Sequence, residues 1–290
     1  MLDHHMHLEN YPYEVESIQK FLRHGISRGI QTFGFSEHSH HFKEFWPIYQ
    51  RQVILDESPE GQYQKNWLTK EPKSFCYELR EYVQLVETAK KEGLPVLLGL
   101  EVCYFPGEEK SIEAILRDIP FDYIIGSVHW LNGWGFDTKK EFWQGKDVNK
   151  VFNDYAKVIC SAIESHLFDV IAHPYSCKAF GAWPSDSLQE DYRRIARLAV
   201  QNKVDLELNA GLAYRYPVGS VCPPAGFIQI ASEEGCTFSL GSDSHRAEDC
   251  GRGIAYLQQL AKEFRIEYQS GWEKRVRTNV PMSRVPTVFF

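Results

Sequence analysis

Two histidines near the N-terminus, His5 and His7, stand two positions apart at the end of the first segment with strand character. In an extended strand, residues two apart point to the same side, so both imidazoles would face one point. Two neutral imidazoles directed at one point can hold a divalent metal ion. Such a pair is weak evidence by itself, because a polar strand end can contain the same residues. The rest of the chain must supply the other ligands.

The other predicted strands also end in polar side chains, most of which can bind metal. In chain order these are His38, Glu101, His129, His173, Asn209, Asp243 and His245. Each has an ordinary explanation when taken singly, such as a cap, a surface ion pair or a turn, and Asn209 is better suited to orienting a ligand or substrate. Imidazoles and carboxylates without thiolates are typical of Zn, Mn or Fe sites. Together they exceed the ligands of one ion, about four, so we predict two or three ions bridged by Glu101.

These side chains converge only if the strands form a barrel. Strand and helix alternate seven times, with predicted strands at 2–7, 30–35, 96–100, 123–128, 170–172, 204–208 and 237–240. This alternation predicts parallel strands joined by crossover helices. A βα-barrel gathers the carboxyl ends of its strands on one face, whereas an open sheet would spread them in a row. We therefore predict a single-domain α/β fold, a barrel of seven βα units over residues 1–265.

Two segments fall outside this repeating pattern. Residues 39–74 are rich in aromatic side chains and form either a lid or binding loop, or a helical excursion packed on the barrel rim. His40, two residues after His38, lies past its strand and is expected in a loop or in solvent. Residues 266–290 have no strong periodicity and are expected to pack as a tail on the barrel or on a neighbouring subunit, if an oligomer forms.

Composition narrows the classes of function. A net charge of −7 over 290 residues argues against non-specific binding to nucleic acid or to an anionic membrane surface. No apolar run reaches the roughly 20 residues of a membrane helix, and the N-terminus lacks the pattern of a signal peptide. The seven cysteines are scattered without a C-x-x-C pair, which predicts reduced thiols in a cytoplasmic protein.

Several short segments, taken in order over about residues 1–260, resemble the motifs of the PHP (polymerase and histidinol phosphatase) family. They are His5-x-His7, Ser36-Glu37-His38, Gly99-Leu100-Glu101, Val128-His129, Ala172-His173-Pro174 and Gly241-Ser242-Asp243-Ser244-His245. The chain is most similar to the stand-alone, histidinol-phosphatase-like members. The resemblance implies a distorted (β/α)7 TIM-like barrel with a trinuclear metal centre.

The resemblance also implies how the ligands are divided among the ions. The three implied sets are His5, His7, Glu101 and Asp243; Glu101, His129 and His173; and His38 with His245. The family normally has one more His or Asp a few residues after the His-x-His pair, where this sequence has Pro12 and Tyr13. Glu9 is expected to take that role, with Glu14 as the alternative.

The function implied by the resemblance is hydrolysis of a small phosphate ester. The expected substrate is L-histidinol phosphate, cleaved to L-histidinol and phosphate in histidine biosynthesis, with Glu101, Asp243 and His245 at the catalytic centre. A hydroxide bridging two ions would attack phosphorus, and a metal-bound water or a histidine would protonate the leaving alcohol. Cationic groups expected to bind the phosphate are Lys178, Arg215 and Arg246, helped by Asn209.

Three alternatives remain open from the sequence. The same ligands would serve a PHP-type phosphoesterase that acts on a sugar phosphate or a nucleotide. A metal-dependent hydrolase of amides or esters, of the amidohydrolase type, would use a similar barrel without the basic groups for phosphate. A PHP module without catalytic activity would serve as a partner-binding domain, although no ligand position is clearly lost here.

Overall fold

A single sheet of seven parallel strands forms the centre of the molecule. The computed structural model describes residues 1–70 and 74–282. The strands are β1 (Leu2–Met6), β2 (Thr32–His38), β3 (Val96–Cys103), β4 (Tyr123–Ser127), β5 (Val170–Ile171), β6 (Asp205–Asn209) and β7 (Phe238–Gly241), and they pair in this order. The backbone N–H groups of Asp243 and His7 donate to His5 O at 2.8 Å and to Ser244 O at 2.9 Å, which joins the segment after β7 to β1. The predicted barrel of seven parallel strands is confirmed.

Helices surround the sheet. They are α1 (Val15–Ser27), α2 (Trp46–Gln52), α3 (Pro59–Lys70), α4 (Leu79–Lys91), α5 (Glu109–Leu116), α6 (Val148–Glu164), α7 (Gln189–Asn202), α8 (Gly211–Arg215), α9 (Ala225–Glu233) and α10 (Ile254–Glu263). In α1, the side chains of Ile18, Phe21 and Leu22 recur at helical spacing and are buried against the sheet. Within the described residues, no helix is long and apolar enough to span a bilayer.

The segment after β2 is helical, the second of the two alternatives that the sequence left open. Two short 3-10 turns, Ser39–His41 and Lys43–Phe45, precede α2 and α3. Tyr49 is buried and Trp67 half-buried, and both face the cavity at the carboxyl ends of the strands. Residues 71–73 of this segment lie outside the described residues. The helical insert therefore supplies part of the wall around the predicted site.

The end of the chain contains a hairpin that hydrophobic periodicity did not predict. Strands β8 (Tyr268–Glu273) and β9 (Val276–Pro281) pair antiparallel. Arg275 and Arg277 form ion pairs of 2.9 Å with Asp169, which precedes β5, and Asp205, which begins β6. The hairpin thus lies at the amino ends of the strands, on the face opposite the histidines. The rest of the predicted tail, residues 283–290, lies outside the described residues.

Gly34 and Gly99 leave room for the Tyr123 side chain to cross the sheet, and this close approach gives the first prediction. The buried Tyr123 hydroxyl donates to His4 O at 2.6 Å, and a Cβ added at Gly34 would overlap that hydroxyl and lie 2.9 Å from His4 Cα. We expect Gly34→Ala to lower the free energy of unfolding by about 1–3 kcal/mol through overpacking, measured by urea denaturation.

The matched control is Gly226→Ala in α9. A Cβ there would meet nothing closer than Tyr192 Cε2 at 3.7 Å. Alanine also has the higher helix propensity, so this variant should be neutral or slightly more stable than the natural protein. Equal urea midpoints for Gly34→Ala and the natural protein would show that the sheet accommodates the methyl group.

Candidate metal centre

Glu101, inside β3, is the centre of the predicted site. Its Oε1 lies 3.2 Å from His129 Nε2 and 3.1 Å from His173 Nε2. Its Oε2 lies 2.7 Å from His38 Nδ1, 3.3 Å from His5 Nε2 and 3.6 Å from His7 Nε2. One buried carboxylate therefore faces five imidazoles, which come from only four strands or strand ends because His5 and His7 both lie in or directly after β1. The two oxygens divide these imidazoles into two groups, as a bridging carboxylate would.

Asp243 and His245, after β7, complete the cluster from the other side. His7 Nε2 lies 3.4 Å from Asp243 Oδ1, and His38 Nε2 lies 3.2 Å from His245 Nε2. Ligand atoms within 4.8 Å of one another form three sets here: His5, Glu101 and His173; His5, His7 and Asp243; and His7, His38 and His245. The structure therefore brings together all eight histidines and carboxylates that the strand ends predicted.

The backbone is strained at two of these positions. His173 and Asp243 adopt positive φ angles of 27° and 54°, a region that costs a non-glycine residue about 1–3 kcal/mol. Both conformations are held by buried hydrogen bonds, from His173 N to Glu207 Oε2 at 2.8 Å and from Asp243 N to His5 O at 2.8 Å. These conformations place the His173 side chain beside Glu101 and the Asp243 side chain beside His7.

The donor atoms at the centre fit a divalent cation. His5 Nε2 and His7 Nδ1 and Nε2 are buried and have no hydrogen-bond partner among the described residues. Leaving a buried polar atom unpaired costs about 1–3 kcal/mol. Imidazole nitrogens and carboxylate oxygens directed at common points would avoid that cost by ligating Zn, Mn or Fe ions.

Electrostatics keep the carboxylates ionised. Burial would raise the pKa of Glu101, but His38 and His5 outweigh burial and hold this pKa well below its usual range. Burial would also raise the pKa of Asp243, but Arg215 and His5 outweigh burial and hold this pKa well below its usual range. Burial and the neighbouring His7 together lower the pKa of His38 to about 4. The carboxylates around His5 and His7 outweigh burial and raise the pKa of both imidazoles, so an ion bound there would displace a proton, because metal ligates the neutral imidazole and the ionised carboxylate.

The site opens into a cavity of about 360 Å³ at the carboxyl ends of the strands. Arg215, at the end of α8, lines this cavity and donates from Nη2 to Asp243 Oδ2 at 2.6 Å. Its Nη1 lies 2.8 Å from His245 Nε2. Asn209 is buried at the base, where Nδ2 donates to Glu207 Oε2 at 3.0 Å and to Asp243 Oδ2 at 3.3 Å. Arg215 thus places a guanidinium beside the cluster.

The other two predicted phosphate-binding cations lie elsewhere. Lys178 is buried beside a second cavity, and its ammonium donates to Ser220 Oγ at 3.0 Å and to Val221 O at 2.7 Å. Arg246 is exposed and is not among the residues that line the first cavity. Of the predicted cations, the structure brings only Arg215 to the histidines among the residues described.

Glu9 and Glu14, the two candidates for a further ligand, are separated by the structure. Glu9 lines the cavity, and its Oε1 lies 3.9 Å from His245 Nε2. Glu14 is exposed at the residue before α1. His40 lies in the turn after β2, as expected for a loop position, but it is half-buried and lines the cavity. The geometry therefore favours Glu9 over Glu14.

Comparison with known proteins gives the family of this chain. The family model for the PHP domain matches residues 3–211. This chain belongs to the PHP domain family. A probable histidinol-phosphatase of Deinococcus radiodurans is 35% identical over 195 residues, which cover 65% of this chain and 72% of that protein. A probable histidinol-phosphatase of Schizosaccharomyces pombe is 24% identical over 266 residues, which cover 85% and 79%.

Two solved structures have the same fold. The histidinol phosphate phosphatase of Lactococcus lactis, crystallised with zinc, L-histidinol and phosphate, gives a TM-score of 0.71 at 18% identity and covers 96% of this chain and 98% of that one. The putative histidinol phosphatase of Listeria monocytogenes gives 0.70 at 22% identity and covers 88% and 99%. These similarities show that the chain has the same barrel fold as the two solved structures.

Two carboxylates that the sequence analysis did not select, Glu207 and Asp137, contact ring nitrogens of His5 and His129 that face away from Glu101. Glu207 Oε1 lies 2.7 Å from His5 Nδ1, and Asp137 Oδ2 lies 2.7 Å from His129 Nδ1. A carboxylate on the far nitrogen fixes the ring orientation and raises its basicity as a ligand. Glu207 could have been found, because it stands two residues before Asn209 on β6 and so shares its face. Asp137 follows an irregular loop and carries no such signal.

The Asp137 carboxylate gives a second prediction. We expect Asp137→Asn to weaken metal binding or activity by about 10–100-fold, because the His129 imidazole loses the partner that orients it. Metal affinity by competition with a chelator, together with phosphate release, measures both effects. Asp118→Asn, on an exposed aspartate, is the matched control. Wild-type affinity in Asp137→Asn would show that His129 is held by its other contacts.

Proposed function

We propose that this PHP protein is a metal-dependent phosphomonoesterase that hydrolyses L-histidinol phosphate to L-histidinol and phosphate. The observation that carries this proposal is the convergence of imidazoles and carboxylates around Glu101, next to the Arg215 guanidinium, in a cavity of about 360 Å³. The cavity has the size of a site for a small metabolite. The Deinococcus and Schizosaccharomyces relatives, both named probable histidinol-phosphatases, support the choice of substrate.

Three ligand sets would hold the ions. We propose His5, His7, Glu101 and Asp243 for one ion, Glu101, His129 and His173 for a second, and His38, His245 and Glu9 for a third. Zn, Mn and Fe all suit these nitrogen and oxygen donors. The separations around Glu101 and Asp243 support this division, because each set contains at least one pair of ligand atoms less than 4 Å apart. Bound ions would supply Lewis acidity toward the phosphoryl oxygens and the attacking water.

The residues of this chain would bind and orient the ester. Arg215 offers a planar guanidinium, which suits the tetrahedral phosphate better than a point charge does. Asn209 and Glu207 hold the Asp243 and His5 side chains in place at the base. In the reaction, a water oxygen bonds to phosphorus and the ester P–O bond breaks, so that the water supplies OH to the phosphate and, in net terms, the proton that the departing alkoxide takes up. Tyr49 and Trp67 line the same cavity and would contact the alcohol part of the ester.

The test is a substrate panel with defined metals. The protein is loaded separately with Zn, Mn and Fe and assayed with L-histidinol phosphate, glycerol phosphate, ribose 5-phosphate, a nucleotide monophosphate and a simple amide. We expect kcat/KM for L-histidinol phosphate to exceed the other esters by at least tenfold, and His7→Ala to remove the activity. Equal turnover of all esters would overturn the substrate assignment. Hydrolysis of the amide alone, or no turnover with metal bound, would overturn the reaction.

A further inference from the structure

A second group of metal-competent side chains lies on the insert side of the cavity. Glu9 stands two residues after His7, and His40 and His41 lie in the 3-10 turn that follows β2. One ligand atom from each of the three lies within 4.8 Å of the others. Glu9 and His40 line the cavity, while His41 is buried behind them. None of the three belongs to the sets around Glu101, apart from the role proposed above for Glu9.

The separation of Glu9 and His41 suits two ligands of a shared ion. Glu9 Oε2 lies 3.7 Å from His41 Nε2, which is longer than a hydrogen bond. Ligands about 2.1 Å from a tetrahedral ion lie about 3.4 Å from one another. The imidazoles of His40 and His41 lie with centroids 4.8 Å apart and planes at 76°, so the two rings do not stack. A carboxylate and two imidazoles leave further coordination positions open toward the cavity.

Glu9 connects this group to the main cluster. Its Oε2 faces His41, whereas its Oε1 lies 3.9 Å from His245 Nε2 and accepts from Asn10 Nδ2 at 3.1 Å. The two oxygens of one carboxylate thus point to two different imidazole groups. Glu101 has the same arrangement at the centre of the site. A carboxylate placed in this way can bridge neighbouring cations.

We infer that Glu9, His40 and His41 form an additional divalent-cation site, beyond the three sets of the proposed function, which shares Glu9 with the third ion. Its two nitrogens and one carboxylate select a cation such as Zn²⁺, Mn²⁺ or Fe²⁺ over Mg²⁺ or Ca²⁺, which prefer oxygen ligands. The site extends the row of cations toward Trp67, whose ring lies 4.9 Å from that of His40. An ion here would lie at the wall formed by the insert.

Metal stoichiometry tests this inference without turnover, so its failure is distinguishable from failure of the proposed function. The full chain is loaded with Zn²⁺ or Mn²⁺, desalted and analysed by inductively coupled plasma mass spectrometry. We expect His41→Gln and His40→Gln each to bind one equivalent fewer than the natural protein. His24→Gln, on an exposed histidine of α1, should bind as the natural protein does. Undiminished stoichiometry in folded His40→Gln would overturn the inference.

A double variant separates an additional site from a larger third site. If the sites are distinct, His38→Gln with His40→Gln should lose two equivalents, one for each single change. If the double variant loses only one equivalent, the residues serve the same ion and the additional site does not exist. The double variant remains interpretable even if His41→Gln, a change at a buried position, fails to fold, because His40 is only half-buried at the cavity wall. Circular dichroism of each variant establishes that it is folded.

Discussion

Replacing Glu101 with glutamine is expected to reduce kcat/KM for L-histidinol phosphate by on the order of 10³-fold or more and to lower the bound metal. Loss of a carboxylate that only orients a ligand costs about 10–100-fold, so loss of a shared inner ligand should cost more. Glutamine has nearly the same shape, but it presents one neutral oxygen where Glu101 presents two charged ones. The five imidazoles around it would lose the charge that they share.

Phosphate release and metal content, measured on the same preparation, check this result. Glu164→Gln, on an exposed residue at the end of α6, is the matched control and should keep full activity and metal. The Glu101→Gln protein should stay folded, because the change preserves volume in a buried position. If Glu101→Gln keeps its full metal content and loses less than tenfold in activity, Glu101 does not bridge the ions.

The sequence carried enough information to place most of the site. Alternation of strands and helices predicts a barrel, and a barrel brings strand ends together whatever the loops between them do. His129 and His173 therefore reach Glu101, and Asp243 reaches His5 and His7, although these residues lie far apart in the chain. Glu101 itself lies inside β3, which continues to Cys103, so the strand end was predicted three residues early. The error did not matter, because the pleat still turns the Glu101 side chain into the barrel.

The sequence could not predict the direction in which a loop carries a side chain after the end of a strand. Lys178 follows His173 by only five residues, which suggested that it would reach the phosphate. Tyr175 has a φ of 68°, and the short helical turn after it takes Lys178 to Ser220 and Val221 instead. Counting residues past a strand gives distance along the chain, whereas the direction depends on backbone angles that a sequence does not reveal.

The C-terminal hairpin escaped prediction for a different reason. Its strands are short, and β9 is half-exposed or exposed along its length, so no buried alternation marks it. The hairpin is held by long-range ion pairs, Arg275 with Asp169 and Arg277 with Asp205, and by the packing of Trp272 among barrel residues. Such contacts depend on partners about 70 to 100 residues away, which local pattern analysis does not detect.

Replacing Arg215 with methionine is expected to lower kcat/KM by on the order of 10²–10³-fold, as removal of one charged donor to a transition-state oxyanion does. Arg215 is the predicted phosphate-binding cation that the described structure places in the cavity, where its guanidinium contacts Asp243 and His245. Methionine retains the length of the side chain and removes both the charge and the donors. Steady-state kinetics with L-histidinol phosphate, together with metal analysis, measures the effect and separates phosphate binding from loss of metal.

Arg246→Met is the decisive comparison, because Arg246 has the same chemistry one residue after His245 but an exposed side chain outside the cavity. A cation that acts only through long-range attraction would be screened over about 10 Å at 0.1 M salt. Arg246→Met should therefore change kcat/KM by less than about twofold, the range of an exposed charge. If both variants lose activity equally, the phosphate is held by long-range attraction to the positive charges on this face of the barrel, and direct contact with Arg215 is not what binds it. If neither variant loses activity, the metal ions alone hold the phosphate, and Arg215 serves only to orient Asp243 and His245.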